Sequence, residues 1–457
     1  MLSNFGTTTN EQGERIVLPL PMSAVYNKQQ FISHFISLHH RSTQPTLINQ
    51  LLTGTIPHTF SEFWILYDDY NRPIACAAAN TVISDVSVGY VGLFEAKTEE
   101  AGTTVLRAAT QWLKHGGLRE FQPVQQILGP VNLTTWLQYR LRVDNNPQSS
   151  MSYEPRHPEF YQACFAKAGF VKAVDYYSTF FNVDKFLSGF EGYTRNTSFE
   201  ELGLGMQYWN TLDFPASLNP MRHPELSSQD DVAKRIYDLS LEMFHGKEFF
   251  DDKFTQENHR NIVLGDMISR PEVDNASLMD LSSFVVDPVT GEDIGYLACW
   301  MEDDTLVLKT IGFVSKVRKT KVFAIAVRET TARAKDHWGC TRVSCALMNA
   351  NMAGLTERVC GESVRHTYRL YMHQSNTSTV SIEHCRNDSN QEEQAVVNKT
   401  PIRQPTASAS ALVSLETDGT TGEFVQRQKT DVQQMYLDKQ QKQHRIQRSG
   451  GRVMARL

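Results

Sequence analysis

A cluster of polar and aromatic side chains follows the short apolar segment QQILGPVN (residues 125–132). Its members are Asn132, Thr135, Trp136, Tyr139 and Arg140. A guanidinium can hold a carboxylate or phosphate through two parallel hydrogen bonds, an indole can stack on a flat group, and an amide can bond another amide. The cluster therefore predicts a substrate-binding site. The alternative is a loop packed by Trp136, with Arg140 in a structural ion pair.

A cationic turn lies between the apolar segment LVLKTIGF (residues 306–313) and the segment VFAIAV (residues 322–327). The turn carries Arg318, Lys319, Thr320 and Lys321. If the flanking segments are a strand and a helix, the turn lies at a helix N-terminus, where free N–H groups and the helix dipole favour an anion. The turn therefore predicts an anion site, and the alternative is an ordinary helix start.

The composition limits the classes of protein that fit. With 457 residues the chain is longer than a single core usually supports, so two domains are expected. A net charge of −6 does not indicate a nucleic-acid-binding protein as a whole. The seven cysteines form no C-x-x-C pair, which argues against a zinc ribbon and fits a reducing compartment. His39, His40 and Arg41 have no further ligand at metal-binding spacing, so no metal site is expected.

The N-terminal stretch MLSNFGTTTNEQGER has no basic segment followed by an apolar one, so no signal peptide is predicted. No uncharged apolar run reaches the roughly 18 residues that a membrane-spanning helix needs. These observations predict a cytoplasmic protein with no membrane span.

The periodicity of the apolar residues divides the chain into two blocks with the same order of elements. Residues 16–182 predict a β-hairpin, a strand, a helix, a strand, a helix and a last strand. Residues 226–373 repeat that order after an initial helix, and residues 183–225 are expected to connect the blocks. The chain therefore predicts an α/β (α+β) fold with an internal duplication.

The C-terminal segment, residues 374–457, differs in composition from both blocks. It is rich in Ser, Thr, Asn and Gln up to about residue 424, and from Lys439 onward it carries basic residues and no acidic one. A disordered linker and a basic tail are predicted. Such a tail can contact RNA, anionic lipid or an acidic partner, and the alternative is a solvated tail without a partner.

Four segments resemble tandem proteins of the Gcn5-related N-acetyltransferase (GNAT) superfamily, of a type found uncharacterised in bacteria. They are GPVNLTTWLQYRL (129–141), SYEPRHPEFYQACFAKAGFVKAVDYYS (152–178), VRKTKVFAIAV (317–327) and ALMNANMAGLTERVCGESVRHTYRLY (346–371). The resemblance covers roughly residues 16–373. It implies two GNAT-like domains, 16–182 and 226–373, each a mixed, mostly antiparallel sheet flanked by helices.

The resemblance implies a site for the pyrophosphate of acetyl-CoA, another acyl-CoA or an acyl-carrier phosphopantetheine, with no metal. In the second block that site falls on the cationic turn, and Asn351 matches the Asn that bonds the pantetheine arm. The two glycines of the family loop are replaced by Lys321 and Phe323, so cations must compensate for lost backbone contacts. In the first block Glu99 and Glu100 would repel a pyrophosphate, which favours the second block as the CoA site.

The resemblance also implies catalytic and acceptor residues. GNAT enzymes often use a Glu near the fourth strand as general base and a Tyr in the last helix as general acid, and Glu95 matches the base. The Tyr position falls on Phe165 in the first block and near Thr356 in the second, so neither block has the full set. Tyr153 and Tyr161 are expected to join the polar cluster in the acceptor cleft.

The favoured function is therefore N-acyl transfer from acyl-CoA or a phosphopantetheinyl carrier protein to a small-molecule or carrier-bound amine. One alternative is a degenerate tandem-GNAT scaffold that binds a partner without catalysis. Another is a transferase that uses aminoacyl-tRNA, in which the basic tail would contact the RNA phosphates.

Overall fold

The alternation of strands and helices predicted for the two blocks is present in the computed structural model of the chain. The structure describes residues 7–9, 15–39, 48, 52, 59–82, 85–119, 121–132, 135–146, 151–195, 197–212, 232–244, 256, 259–270, 273–317 and 320–374. The predicted linker and basic tail lie outside the described residues, apart from residue 374. Within the described part, no helix combines the length and the apolar character that crossing a membrane requires.

The first block is built from a run of apolar strands with helices between them. Its strands are β1 Thr7–Thr9, β2 Arg15–Val17, β3 Leu20–Pro21, β4 Thr59–Tyr67, β5 Pro73–Val82, β6 Asp85–Ala96, β7 Gln126–Gly129, β8 Leu141–Arg142 and β9 Val171–Asn182. Its helices are α1 Lys28–Leu38, α2 Glu99–Lys114, α3 Gly116–Arg119 and α4 Phe160–Lys167. Consecutive residues of β4 and β5 are buried, because both faces of the sheet are covered.

The second block repeats this construction. Its strands are β11 Ser283–Val286, β12 Asp293–Glu302, β13 Thr305–Phe313, β14 Arg342–Met348 and β15 Val364–Gln374. Its helices are α6 Val232–Phe244, a π-helical turn His259–Leu264, α7 Gly265–Ser269, α8 Asn275–Leu281, α9 Val322–Trp338 and α10 Ala350–Cys360. Helix α9 ends at Gly339, whose φ of 68° is the left-handed conformation that favours glycine at this position.

The predicted connector, residues 183–225, is structured over its described part. It contains helix α5 Val183–Thr194, two short 3₁₀ turns and strand β10 Gly205–Tyr208. The Asn182 side chain accepts hydrogen bonds from the first turn of α5, and Phe186 and Phe190 are buried. Over its described residues the segment is therefore part of the packed structure.

Apart from β1 and β2, which pair with each other, the described strands of both blocks form one mixed sheet in which the last strands are exchanged. The order is β10-β11-β12-β13-β14-β9-β15-β7-β6-β5-β4-β3, and β8 pairs with β15. Strand β9 ends the first block but lies antiparallel to β14 of the second block, and β15 lies antiparallel to β7 of the first. The mixed α/β class is as predicted, whereas the domain boundaries at 182 and 226 stay a prediction.

Each block has an equivalent β-bulge in the strand that precedes its long helix. In β6 two residues, Leu93 and Phe94, lie opposite one residue of β5, and Leu93 has a φ of 44°. In β13 the extra residue is Lys309. Next to each bulge the sheet contains a short parallel pairing, of residues 88–90 with 126–128 and of residues 305–308 with 342–345. The bulges bend both strands where these pairings end.

Candidate functional site

The parallel strands of the second block separate after Leu308 and Cys345 and enclose a cavity of about 450 Å³, which we call the open crevice. Most of its described lining is apolar. These residues are Phe186, Phe190, Phe244, Leu308, Ile311, Phe323, Val327, Leu347, Met348 and Met352. The polar members from the second block are Lys309, Thr310, Asn349 and Thr356. The crevice can therefore hold a narrow, largely apolar group with a few polar contacts.

The first block supplies one wall of the open crevice. Thr135, Trp136, Tyr139 and Arg140 line it, together with Val174 and Tyr176 of β9. These residues reach the second block because β9 lies against β14 after the strand exchange. Four members of the sequence cluster are therefore brought together, but in the crevice of the other block.

The corresponding space of the first block, between β6 and β7, is closed. The Val131 N–H donates to the Val91 carbonyl (2.9 Å), and the Leu93 N–H donates to Asn132 Oδ1 (2.8 Å). A Cβ atom at Gly92 would lie only 1.9 Å from the Val131 carbonyl oxygen, so the two backbones touch there. Asn132 thus closes the first-block crevice instead of lining the open one.

Arg140 is a buried cation in the wall of the open crevice, with 5% of its surface exposed. Its guanidinium carbon lies 3.6 Å from the ring centroids of both Tyr139 and Tyr176. No described carboxylate forms an ion pair with Arg140, and its Nε atom has no hydrogen-bond partner. Burial lowers the pKa of Arg140 to about 9, and contact with Tyr176 offsets part of that effect.

A smaller space of about 100 Å³, the side cavity, borders the open crevice. Five lining residues are common to both cavities: Trp136, Tyr139, Lys309, Thr310 and Leu347. His259 and Trp300 also line the side cavity, and His259 Nδ1 and Trp300 Nε1 have no hydrogen-bond partner. Burial lowers the pKa of His259 to about 4, so the ring is neutral at pH 7. Neither residue was expected from the sequence, since neither lies in a recognisable pattern.

The cationic turn is only partly described, because Arg318 and Lys319 lie outside the described residues. Thr320 Oγ1 donates to the Val317 carbonyl (2.7 Å) and accepts from the Val322 N–H (3.3 Å). The Lys321 ammonium donates to the Thr194 carbonyl (3.0 Å), so this side chain extends towards the end of α5.

Phe323 and the two asparagines at the start of α10 lie near the open crevice. Phe323 packs between Phe190 and Phe313, with ring centroids 6.4 Å from each, and lines the open crevice without filling it. Asn351 is exposed on the first turn of α10. Asn349 caps that helix by accepting from the Met352 N–H (2.9 Å) and lines the crevice. Asn349 is therefore better placed for a ligand than Asn351.

The predicted base Glu95 lies at the end of β6, with 28% of its side chain exposed. The Tyr161 hydroxyl donates to Glu95 Oε2 (2.8 Å) and accepts from the Ala96 N–H (2.8 Å). His39 Nδ1 lies 3.8 Å from Glu95 Oε1. Burial and the Glu95 charge raise the pKa of Tyr161 above its usual range. Glu95 and Tyr161 are thus brought together, but neither lines the open crevice or the side cavity.

The remaining predicted residues have clear positions. Tyr153 lines the side cavity, and its hydroxyl shares a hydrogen bond with Ser344 Oγ (2.8 Å).

The start of α2 is occupied by its own residues, because Thr98 caps the helix and Gly102 packs against Cys164 and Phe94. Among the described residues no group of three or more His, Cys, Asp or Glu side chains could hold a metal ion.

No protein-family model matches the sequence, and no curated protein matches it. The structure is similar to solved GNAT structures. A tandem GNAT protein from the clavulanic acid biosynthesis pathway has 10% identity and a TM-score of 0.41, over 79% of this chain and 98% of that chain. A GCN5-related N-acetyltransferase from Sphaerobacter thermophilus has 11% identity and a TM-score of 0.40, over 81% and 98%. A probable N-acyltransferase from Enterococcus faecalis V583 has 9% identity and a TM-score of 0.41, over 76% and 71%.

Proposed function

We propose that the chain is an N-acyltransferase that binds an acyl-CoA, or an acyl-phosphopantetheine carrier, in the open crevice and transfers the acyl group to an amine. One observation carries the proposal: β13 and β14 separate around a cavity of about 450 Å³, whereas in the first block the chain just after β7 stays in contact with β6 through residues 131 and 91. Pantetheine is a narrow chain with amide groups, and it suits the edges of two separated strands because amides can bond a strand edge.

In this proposal each of the two cavities binds one of the two reactants. The thioester lies in the open crevice, the amine lies in the side cavity, and the five shared residues border the point where they meet. The acyl carbon–sulfur bond breaks, the acyl carbon–nitrogen bond forms, and the proton lost by the amine ends on the departing thiolate. His259 Nδ1 accepts a hydrogen bond from the amine, and Lys309 stabilises negative charge on the carbonyl oxygen.

The sequence candidates take specific parts in this arrangement. Thr320, Lys321, Arg318 and Lys319 belong to the turn nearest the start of α9, where the CoA phosphates are proposed to bind. Asn349, rather than Asn351, is proposed to contact the pantetheine arm. A second possibility keeps Glu95 as the general base of a separate first-block site.

The experiment combines thermal unfolding with acetyl-CoA and a thiol-release assay with an amine panel. A ligand at about 100 times its dissociation constant stabilises the protein by about 2.7 kcal/mol. We expect acetyl-CoA to raise the melting temperature, and His259→Gln to reduce thiol release more than Glu95→Gln does. The absence of any shift at millimolar acetyl-CoA and CoA would reject the function. A larger loss of turnover in Glu95→Gln would move the site to the first block.

A further inference from the structure

Arg140 has the properties of a binding group whose partner is a ligand. A buried cation is costly unless an anion compensates it, and nearly all of this side chain is withdrawn from water. Among the described residues that line the open crevice there is no aspartate or glutamate. The two tyrosine rings provide cation–π contacts, but they leave the Nε edge of the guanidinium without an acceptor.

The surroundings of Arg140 fix its orientation. The backbone N–H of Arg140 donates a hydrogen bond to the Pro130 carbonyl (2.9 Å). The backbone φ of Arg140 is 86°, a value that few non-glycine residues adopt. Tyr139 and Tyr176 lie against the guanidinium with their rings nearly perpendicular (78°) and their centroids 5.9 Å apart, and the Nε edge is left without an acceptor. An edge of this kind bonds a coplanar carboxylate through two parallel N–H···O bonds.

We propose that Arg140 binds a carboxylate of the substrate inside the open crevice. The inference rests on the proposed acyltransferase function and names the class of its substrate. A carboxylate is favoured over a phosphate because the lining is mostly apolar, and a single charge loses less hydration on burial than a double one. The carboxylate belongs either to the acyl group, as in a dicarboxylic acyl-CoA, or to the amine, as in an amino acid.

Binding measurements with matched ligand pairs distinguish these sources. In the donor arm, isothermal titration compares succinyl-CoA with acetyl-CoA on the full chain. In the acceptor arm, glycine is compared with methylamine in the presence of CoA. The wild-type protein is expected to prefer the carboxylate member of one pair. Arg140→Met is expected to weaken the binding of that ligand more than about tenfold and so to abolish the preference for the carboxylate member of the pair. Arg140→Lys is expected to retain part of the preference.

The melting temperature of each ligand-free variant separates binding from a structural role. Removing a buried charge that lacks an anion should leave the melting temperature of Arg140→Met unchanged or higher. A lower melting temperature with carboxylate binding intact would overturn the inference. So would acetyl-CoA binding without a carboxylate preference in either arm, and in that case the acyltransferase proposal would stand. If no thioester binds, the proposed function fails and the inference fails with it.

Discussion

The two crevices of the sheet begin from the same construction and end differently. In the first block Gly92 precedes the bulge, and the chain after β7 comes into backbone contact with it. In the second block Leu308 occupies the position before the bulge residue, and its side chain lines the open crevice. A glycine permits the close approach of the Val131 backbone, whereas β13 is still paired with β14 at Leu308 and separates from it only beyond that residue. A duplicated fold can therefore use one copy for packing and keep the other for a ligand.

The two blocks also contribute differently to the lining of the open crevice. The crevice of the first block is closed, but Trp136, Tyr139 and Arg140 of that block line the open crevice of the second. The second block has Ile311 two residues after its bulge residue Lys309, where the first block has Glu95 two residues after Leu93. The second block therefore has a cavity but no carboxylate at this position, whereas the first block has the Glu95 carboxylate but no cavity.

The largest effect is expected from Gly92→Ala, which tests whether the first crevice is closed. The added methyl group would meet the Val131 carbonyl, and the backbones would have to move apart. We expect the free energy of unfolding to fall by about 3 kcal/mol, measured by urea denaturation. Gly192→Ala is the control, because a Cβ atom there meets nothing within 4 Å, and alanine favours its helix. Equal stability of the two variants would show that the backbones at Gly92 and Val131 are not in contact.

An intermediate effect is expected from placing the same large residue beside each crevice. Val105 of α2 lies in a filled core, so Val105→Phe should lower the free energy of unfolding by about 2 kcal/mol. Val327 of α9 lines the open crevice, so Val327→Phe should cost less than about 1 kcal/mol and abolish the acetyl-CoA shift. Urea denaturation and thermal shift measure both. The comparison is wrong if Val327→Phe binds acetyl-CoA as tightly as the wild type.

The smallest effect concerns His259 beside the open crevice. Its pKa is about 4 in the folded protein and near 6.5 when unfolded, so the unfolded chain binds more protons between these values. Above pH 6.5 the ring is neutral in both states, and the contribution of His259 to the free energy of unfolding is complete. As the pH falls towards 4, that free energy decreases by up to about 1.4 kcal/mol per pH unit, because only the unfolded chain takes up the proton. The stability difference between the wild type and His259→Gln should therefore shrink from pH 7.5 to pH 5.5. A constant difference would mean that His259 is not buried in its neutral form.

The sequence predicted the elements well because each depends on local patterns. The apolar runs and the repeated order of elements can both be read from neighbouring residues. The strand exchange could not be predicted in this way, since it depends on which strands pair across long distances in the sequence, β9 with β14 and β15 with β7. The closed crevice was equally hidden, because Gly92 and Val131 are distant in sequence.

The candidate site was predictable in residue type but not in place. A cluster with Trp136 and Arg140 indicated a binding site for an anion, and both residues line a cavity. Its assignment to the second-block crevice needed the three-dimensional pairing of β9 with β14. His259 and Asn349 gave little signal, since their importance comes from burial and from a helix start.

A crystal structure of the full chain soaked with CoA tests the central claim most directly. We expect electron density for the pantetheine arm between β13 and β14, in contact with residues beyond Leu308 and Cys345, and none between β6 and β7. Density at the start of α2, or an open crevice that stays empty at saturating CoA, would contradict it.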